Sequence, residues 1–483
     1  MLSDEPLYDL IFRNGTVIDG SGEPRIKADV AVQGDRIADI GHLVRGNGRR
    51  EIDVSGLILA PGFIDVHTHD DAAIISRPQM LPKLTQGVTT VICGNCGISG
   101  APYNKTGDPP DLLRLVFKSD RFVSASLEGY LRKVKDAAPA TNAAFLTGHT
   151  TLRMHVMGAD LGRVATASEI SAMRELLRQC LAEGSLGLST GLFYQPARAA
   201  STNEVIEVAK VLKLYGGIYT THLRDEGDAV IESLEEALQI GRATDTPVIV
   251  SHHKCSGRKN FGRSVETLAL LQNAHRHQQV AWDVYPYTAA STVLNEEMVR
   301  ASVKTLITWC DPHPEFCNLN LERAADVLGC TPIEAVTKLQ PAGAIYFMMD
   351  EADVTRILAS SQAMIGSDGL PDDQHPHPRL WGTFPRVLGR YVRERKIMTL
   401  EDGVHRMTGL AAERFALHDR GHLAVGKFAD MCVFDPQCIL DSASFESPTQ
   451  PAVGIHYVLV NGQMALENGT PTSRRSGRIL LRH

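Results

Sequence analysis

Apolar positions along this chain fall into two regimes. Near the start, residues 9–12, 16–18, 28–32 and 36–40 alternate or cluster apolar side chains over short runs. Asn14-Gly15, Asp19-Gly20 and Gly34-Asp35 punctuate them, and such pairs mark turns between strands. The end of the chain repeats the pattern: 429–434 and 453–460 read as strands, with Asn461-Gly462 as a hairpin turn. In the middle, strand-like runs at 63–67, 88–92, 142–148, 186–190, 217–222, 247–252, 280–287 and 363–368 alternate with stretches of helical period, among them 167–181, 203–214, 229–242 and 264–277.

Eight strands alternating with helices over roughly 300 residues predict a (β/α)8 barrel, for which about 250 residues is typical. The expected fold is therefore α/β: a TIM-like barrel at 63–417 and a small β-sandwich built from both chain ends, 1–62 and 418–483. Residues 288–362, after the seventh strand, are more than a βα loop needs and are expected to form a lid over the barrel mouth.

Composition narrows the function classes. The chain has 483 residues, 43% hydrophobic and 22% charged, as in ordinary soluble proteins. A net charge of −7 without a basic stripe argues against a nucleic-acid partner. No apolar run approaches the ~18 residues of a membrane span. The first residues are acidic and lack a basic-then-apolar leader pattern, so a cytoplasmic protein is expected. Nine cysteines, odd in number and widely spaced, fit reduced thiols in that compartment.

The run Phe63-Ile64-Asp65-Val66-His67-Thr68-His69 ends in two histidines one residue apart. Side chains at i and i+2 of a strand share a face, so both imidazoles reach one point, as a divalent metal requires. The pair alone is weak, because 18 histidines in 483 residues give roughly 0.7 such triplets by chance and context must decide. His275-Arg276-His277 lies in a helical stretch, where i and i+2 diverge. His375-Pro376-His377 lies in a Pro-rich loop, and its role is open.

Context favours the first pair. The second run is followed by Cys93-Gly94-Asn95-Cys96-Gly97 and the third by His149. The fifth ends in His222, the sixth in His252-His253-Lys254 and the eighth in Ser367-Asp368-Gly369. Catalytic groups of such barrels sit at the C-terminal strand ends. Mixed imidazole, thiolate and carboxylate donors suit Zn²⁺. Cys93 and Cys96 have knuckle spacing but no partner pair, so a single cysteine is expected to join the histidines; spacing does not choose between the two.

The segment from Pro61 to His69, with Ser367-Asp368-Gly369, resembles the amidohydrolase superfamily. Asn14 to Gly20, Gly426-Lys427-Phe428-Ala429-Asp430 and Val460-Asn461-Gly462 are similar to the small β-sandwich flanking that barrel. Gly94-Asn95-Cys96-Gly97, Ser251-His252-His253-Lys254, Tyr285-Pro286-Tyr287, Pro341 to Phe347 and His377-Pro378-Arg379-Leu380-Trp381-Gly382 resemble the N-acyl-D-amino-acid deacylase, or D-aminoacylase, group over nearly the whole chain. The fourth run ends in Leu188-Ser189-Thr190, with no lysine where many relatives carry a carboxylated one. The resemblance gives the missing anionic role to Cys96 rather than Cys93.

That resemblance implies zinc-dependent hydrolysis of N-acyl-D-amino acids. Cys96, His222 and His252 would hold the main zinc, and His67, His69 and Asp368 a second, weaker position, with His253 a structural neighbour. Zinc would activate water and polarise the acyl carbonyl, and Asp368 is the natural general base. Lys254 and Arg379 supply positive charge for the substrate carboxylate, and the resemblance adds Tyr285 and Ser291. Tyr194 offers a hydroxyl to the carbonyl oxygen. Met298, Tyr346, Met348 and Met349 favour neutral, apolar side chains, whereas Arg300 suits D-glutamate or D-aspartate derivatives. Two other readings remain: a cyclic-amide hydrolase of the same superfamily, which expects the missing lysine, and a non-catalytic zinc protein, which needs a closed site.

Overall fold

The computed structural model describes residues 7–104, 111–117 and 119–482; the outermost parts of the expected sandwich, 1–6 and 483, lie outside the described residues. The barrel wall is made of Phe63–Asp65, Val88–Cys93, Asn142–Phe145 continued by Thr147–Gly148, Gly187–Gly191, Ile218–His222, Val248–Val250, Val280–Val284 and Ala363–Ile365. Along two sheets these segments pair in parallel in chain order. Leu186 N donates to Phe145 O, and a parallel bridge between Thr68 and Gly369 brings the eighth strand back to the first. The barrel is a packed core, because Ile64, Ile92, Ala144, Leu186, Ile218, Ile249, Ala281 and Met364, one from each strand region, form a single buried cluster. Strands such as Val88–Cys93 are buried throughout, as expected where helices cover the outer face.

Both chain ends build one nine-stranded sheet. Ile58–Pro61 pairs in parallel with Tyr8–Val17 and antiparallel with Met431–Phe434, which joins the two halves. The rings of Phe12 and Tyr457, on strands separated by two others, have centroids 5.8 Å apart, so the sheet curls around a core containing Val30, Met431 and Leu459. Asn461-Gly462 is the hairpin turn expected of it. Asn14-Gly15 is not a turn: it is a bulge inside Tyr8–Val17, where the pairing register shifts and Asn14 has φ 59°.

Residues 288–350 hold an antiparallel sheet of Ala289–Val293, Lys304–Cys310 and Ala342–Phe347 with short helices packed on it. The expected lid reached residue 362. Helix Glu351–Ala359, however, packs on Val280–Val284, Ala363–Ile365 and helix Ser264–His275, so it is the crossover helix between the last two strands. Among the described residues no helix is long and apolar enough to cross a membrane.

Candidate metal and substrate site

The strand ends converge on Cys96. Its Sγ lies 3.2 Å from His67 Nε2 and 3.4 Å from His252 Nε2. Asp368 Oδ1 is 3.1 Å from His69 Nε2 and 3.5 Å from His67 Nε2. One donor atom each from His67, Cys96, His252 and Asp368 lie within 4.8 Å of one another. His222 joins from the fifth strand, its ring centroid 4.5 Å from that of His252. The two ligand groups implied by the resemblance therefore meet in one cluster, with Cys96 next to a member of each.

Local backbone explains why Cys96 and not Cys93 is there. Gly94, Cys96 and Gly97 all have positive φ, at 81°, 52° and 78°. A Cβ on Gly94 would sit 2.2 Å from Leu146 O, so only glycine lets the loop turn this tightly. Ser189, on the strand without the lysine, accepts from Gly97 N at 3.0 Å and donates to Gly94 O. It hooks the loop over the barrel and carries the Cys96 thiol into the mouth. Cys93 faces Thr68 Oγ1 at 3.6 Å and packs in the apolar core. Burial pushes the Cys93 thiol well above its ordinary value. At Cys96 burial acts the same way, but His67 and His252 outweigh it and hold the thiol well below that value.

Two carboxylates that the sequence reading missed orient the imidazoles. Asp283 Oδ2 lies 3.2 Å from His67 Nδ1, and its Oδ1 accepts from His252 N at 2.9 Å. Glu226 Oε1 lies 3.0 Å from His252 Nδ1 and 2.7 Å from Lys254 Nζ. A charge in the middle of the buried strand Val280–Val284 was a readable signal for Asp283. Glu226 sits in an acidic loop beside Asp225 and Asp228, and nothing in the sequence singles it out. Three further histidines of the strand ends and the Pro-rich loop bond elsewhere: His253 meets Thr267 Oγ1 at 2.9 Å, His149 lies 3.2 Å from Glu204, and His375 Nε2 lies 2.7 Å from Phe445 O.

The expected substrate groups also gather here. Lys254 and Arg379 are both buried. Arg379 Nη1 lies 2.9 Å from Asp368 Oδ2, and its guanidinium stacks 4.6 Å above the Tyr285 ring. Burial raises the Asp368 carboxyl, but Arg379, His252 and His69 outweigh it and hold it well below the usual carboxylate range. Arg379 Nε, Tyr285 Oη and Ser291 Oγ are buried without a hydrogen-bond partner among the described residues. Tyr194 Oη is 3.2 Å from Thr292 Oγ1, and burial keeps its phenol protonated.

These groups line or underlie a cavity of about 700 Å³ that also touches Ile98, Leu115, Phe193, Met298, Met348 and Leu370. Tyr346 and Met349 are not among the lining residues. Tyr346 donates to Val293 O at 2.8 Å instead, within the lid sheet. Arg300 borders the cavity but is paired to Glu296.

A thiolate, an ionised carboxylate and imidazoles converging in a buried mouth are the donor set of a zinc site. His69 Nδ1 and His222 Nδ1 are likewise buried without a partner among the described residues.

Residues 50–253 and 237–465 match the model of the amidohydrolase family. D-aminoacylase from Alcaligenes xylosoxydans xylosoxydans is 51% identical over 480 residues, 99% of each chain. A solved D-aminoacylase, studied for its binuclear metal centre with one-metal activation and second-metal attenuation, superposes with a TM-score of 0.96 at 52% identity, covering 98% of this chain and 100% of its own. N-acyl-D-glutamate deacylase from Bordetella bronchiseptica, complexed with zinc and a phosphonate mimic of the tetrahedral intermediate, gives a TM-score of 0.95 at 44% identity over 99% and 100%.

Proposed function

The chain belongs to the amidohydrolase family, and from that premise we propose a zinc-dependent N-acyl-D-amino-acid deacylase acting on substrates with neutral, apolar side chains. The observation that carries the reading is the Cys96-centred cluster lying beside the unpaired donors of Arg379, Tyr285 and Ser291. Cys96, His222 and His252 would hold the main zinc, and His67, His69 and Asp368 the second. When bound, zinc supplies a Lewis acid that acidifies water and polarises the acyl carbonyl.

The side chains do the rest. Asp368 is ionised at neutral pH, so it can take a proton from water and later return it to the departing amine. Arg379 keeps Nη1 on Asp368 while Nε remains for the substrate carboxylate. Lys254 has one N–H beyond those directed at Glu226 and at His252 Nδ1, and Tyr285 and Ser291 complete the carboxylate site. Tyr194, as a protonated phenol, donates to the carbonyl oxygen as charge develops.

The absence of a lysine on the fourth strand, with Ser189 serving the Cys96 loop, speaks against a cyclic-amide hydrolase. Unpaired donors around an open cavity speak against a closed, non-catalytic zinc site. For the side chain, the cavity offers Met298, Met348, Phe193 and Leu115, and its cations Lys254, Arg258, Lys259 and Arg300 share the lining with Asp225, Glu226, Asp228 and Glu297. That balance favours a neutral side chain over an acidic one.

We divide the chain at 1–62, 63–417 and 418–483, with the lid within 288–362, which the sheet topology supports. A net charge of −7 supports a small-molecule substrate with no nucleic-acid partner, and nine free cysteines support a reducing, cytoplasmic location. Metal analysis of purified protein, with kcat/KM for N-acetyl-D-leucine, N-acetyl-L-leucine and N-acetyl-D-glutamate, tests the reading. A zinc enzyme preferring N-acetyl-D-leucine is expected; a clear preference for the glutamate derivative overturns the side-chain assignment, and no deacylation overturns the function.

A further inference from the structure

His377 is buried, and both its ring nitrogens are engaged. Nδ1 accepts from the backbone N–H of Arg379 at 3.0 Å, which places the ring proton on Nε2. Nε2–H then donates to Ala289 O at 3.0 Å, on the first strand of the lid sheet. Two residues along that strand is Ser291, whose carbonyl accepts from Arg379 Nη2 at 3.2 Å. The imidazole is packed edge-on against Tyr287 (5.1 Å, 89°) and Phe445 (5.0 Å, 75°), and lies 6.5 Å from Tyr285. Burial and the neighbouring Arg379 hold His377 well below its ordinary value, so the neutral ring that this pattern requires is the stable one.

We propose that His377 is a positioning residue for substrate-carboxylate recognition: it ties the lid strand bearing Ser291 to the backbone of Arg379 and so sets the spacing of the groups that grip the carboxylate. Three of the four candidate carboxylate groups, all but Lys254, come from separate places in the chain: Tyr285 after the seventh strand, Ser291 in the lid and Arg379 after the eighth strand. His377 touches or is hydrogen-bonded to the segment carrying each of them. It donates nothing to the substrate and reaches none of the candidate metal ligands through a hydrogen bond of its own. The inference rests on the deacylase reading for what occupies the site.

The test compares wild type with His377→Phe, which keeps a ring among the tyrosines but loses both hydrogen bonds, and with His377→Asn, which can still accept from Arg379 N. Each is assayed on N-acetyl-D-leucine and on its carboxamide, with zinc content measured alongside. In His377→Phe we expect KM for the carboxylate substrate to rise about tenfold. The preference for carboxylate over carboxamide should collapse with zinc content unchanged, and His377→Asn should fall between. Hydrogen exchange of 289–293, read by mass spectrometry, should quicken in both variants. Wild-type discrimination retained in His377→Phe, with only a lowered Tm, overturns the proposal. If the wild type cleaves no N-acyl-D-amino acid, the deacylase reading is what fails; the exchange measurement still decides the tether, and unchanged exchange overturns it.

Discussion

Asp283 Oδ2 lies 3.2 Å from Nδ1 of His67, while the other oxygen of the same carboxylate accepts from the backbone of His252. One side chain on the seventh strand thus orients a candidate ligand from the first strand and another from the sixth. With a metal bound, a carboxylate there would keep the proton of His67 on Nδ1 and leave Nε2 as the ligand atom. Asp283→Asn can present an amide N–H to Nδ1 and reverse that polarity. Metal affinity, measured by competition with a zinc chelator, should fall by about 10–100-fold in a protein with wild-type circular dichroism. Unchanged affinity would mean that Asp283 does not set the tautomer.

Cys96 and Cys93 should separate cleanly. Cys96→Ser removes the thiolate at the centre of the cluster and should abolish tight zinc binding and turnover together. Cys93→Ala removes a buried core thiol and should cost about 1 kcal/mol of stability with zinc retained. Elemental analysis and denaturant unfolding of both variants check this; loss of zinc from Cys93→Ala would reverse the assignment.

Asp368→Asn keeps the size and much of the hydrogen bonding of the side chain but cannot accept a proton. A drop in kcat of about 10²–10⁴ is expected, with the protein still folded. Turnover near wild type would remove Asp368 from the role of general base.

Acid stability offers a test away from the metal cluster. Burial raises the Glu204 carboxyl, but His149 and Arg153 more than offset it and bring it to about 2, below its ordinary 4.5. A depressed carboxyl contributes stability that is full above the ordinary value and is lost as pH falls through the folded one. Glu204→Gln should therefore be less stable than wild type at pH 7, by about 3 kcal/mol for a broken buried pair. The gap in Tm between the two should close as pH falls from about 4.5 towards 2. A gap that stays constant across that window would mean that Glu204 is not held ionised by its partners.

Much of this molecule was legible in its sequence, because local sterics act between near neighbours. Period-2 and helical patterns located all eight barrel strands, but the first ends at Asp65, so His67 and His69 lie in the loop just past it rather than on its face. Strand ends bearing histidine, cysteine and aspartate marked the mouth. The tertiary structure decided what depends on distant segments meeting. Whether Cys93 or Cys96 faces the cluster turns on a left-handed loop that Ser189 pins from another strand. Asn14-Gly15, a good turn by local preference, became a bulge once the strand continued its pairing on both sides. Asp283 and Glu226 acquired their roles only when barrel closure brought them against imidazoles far away in the chain. An imidazole's tautomer is set by whatever carboxylate lies within about 3 Å of it, and no local pattern encodes that partner.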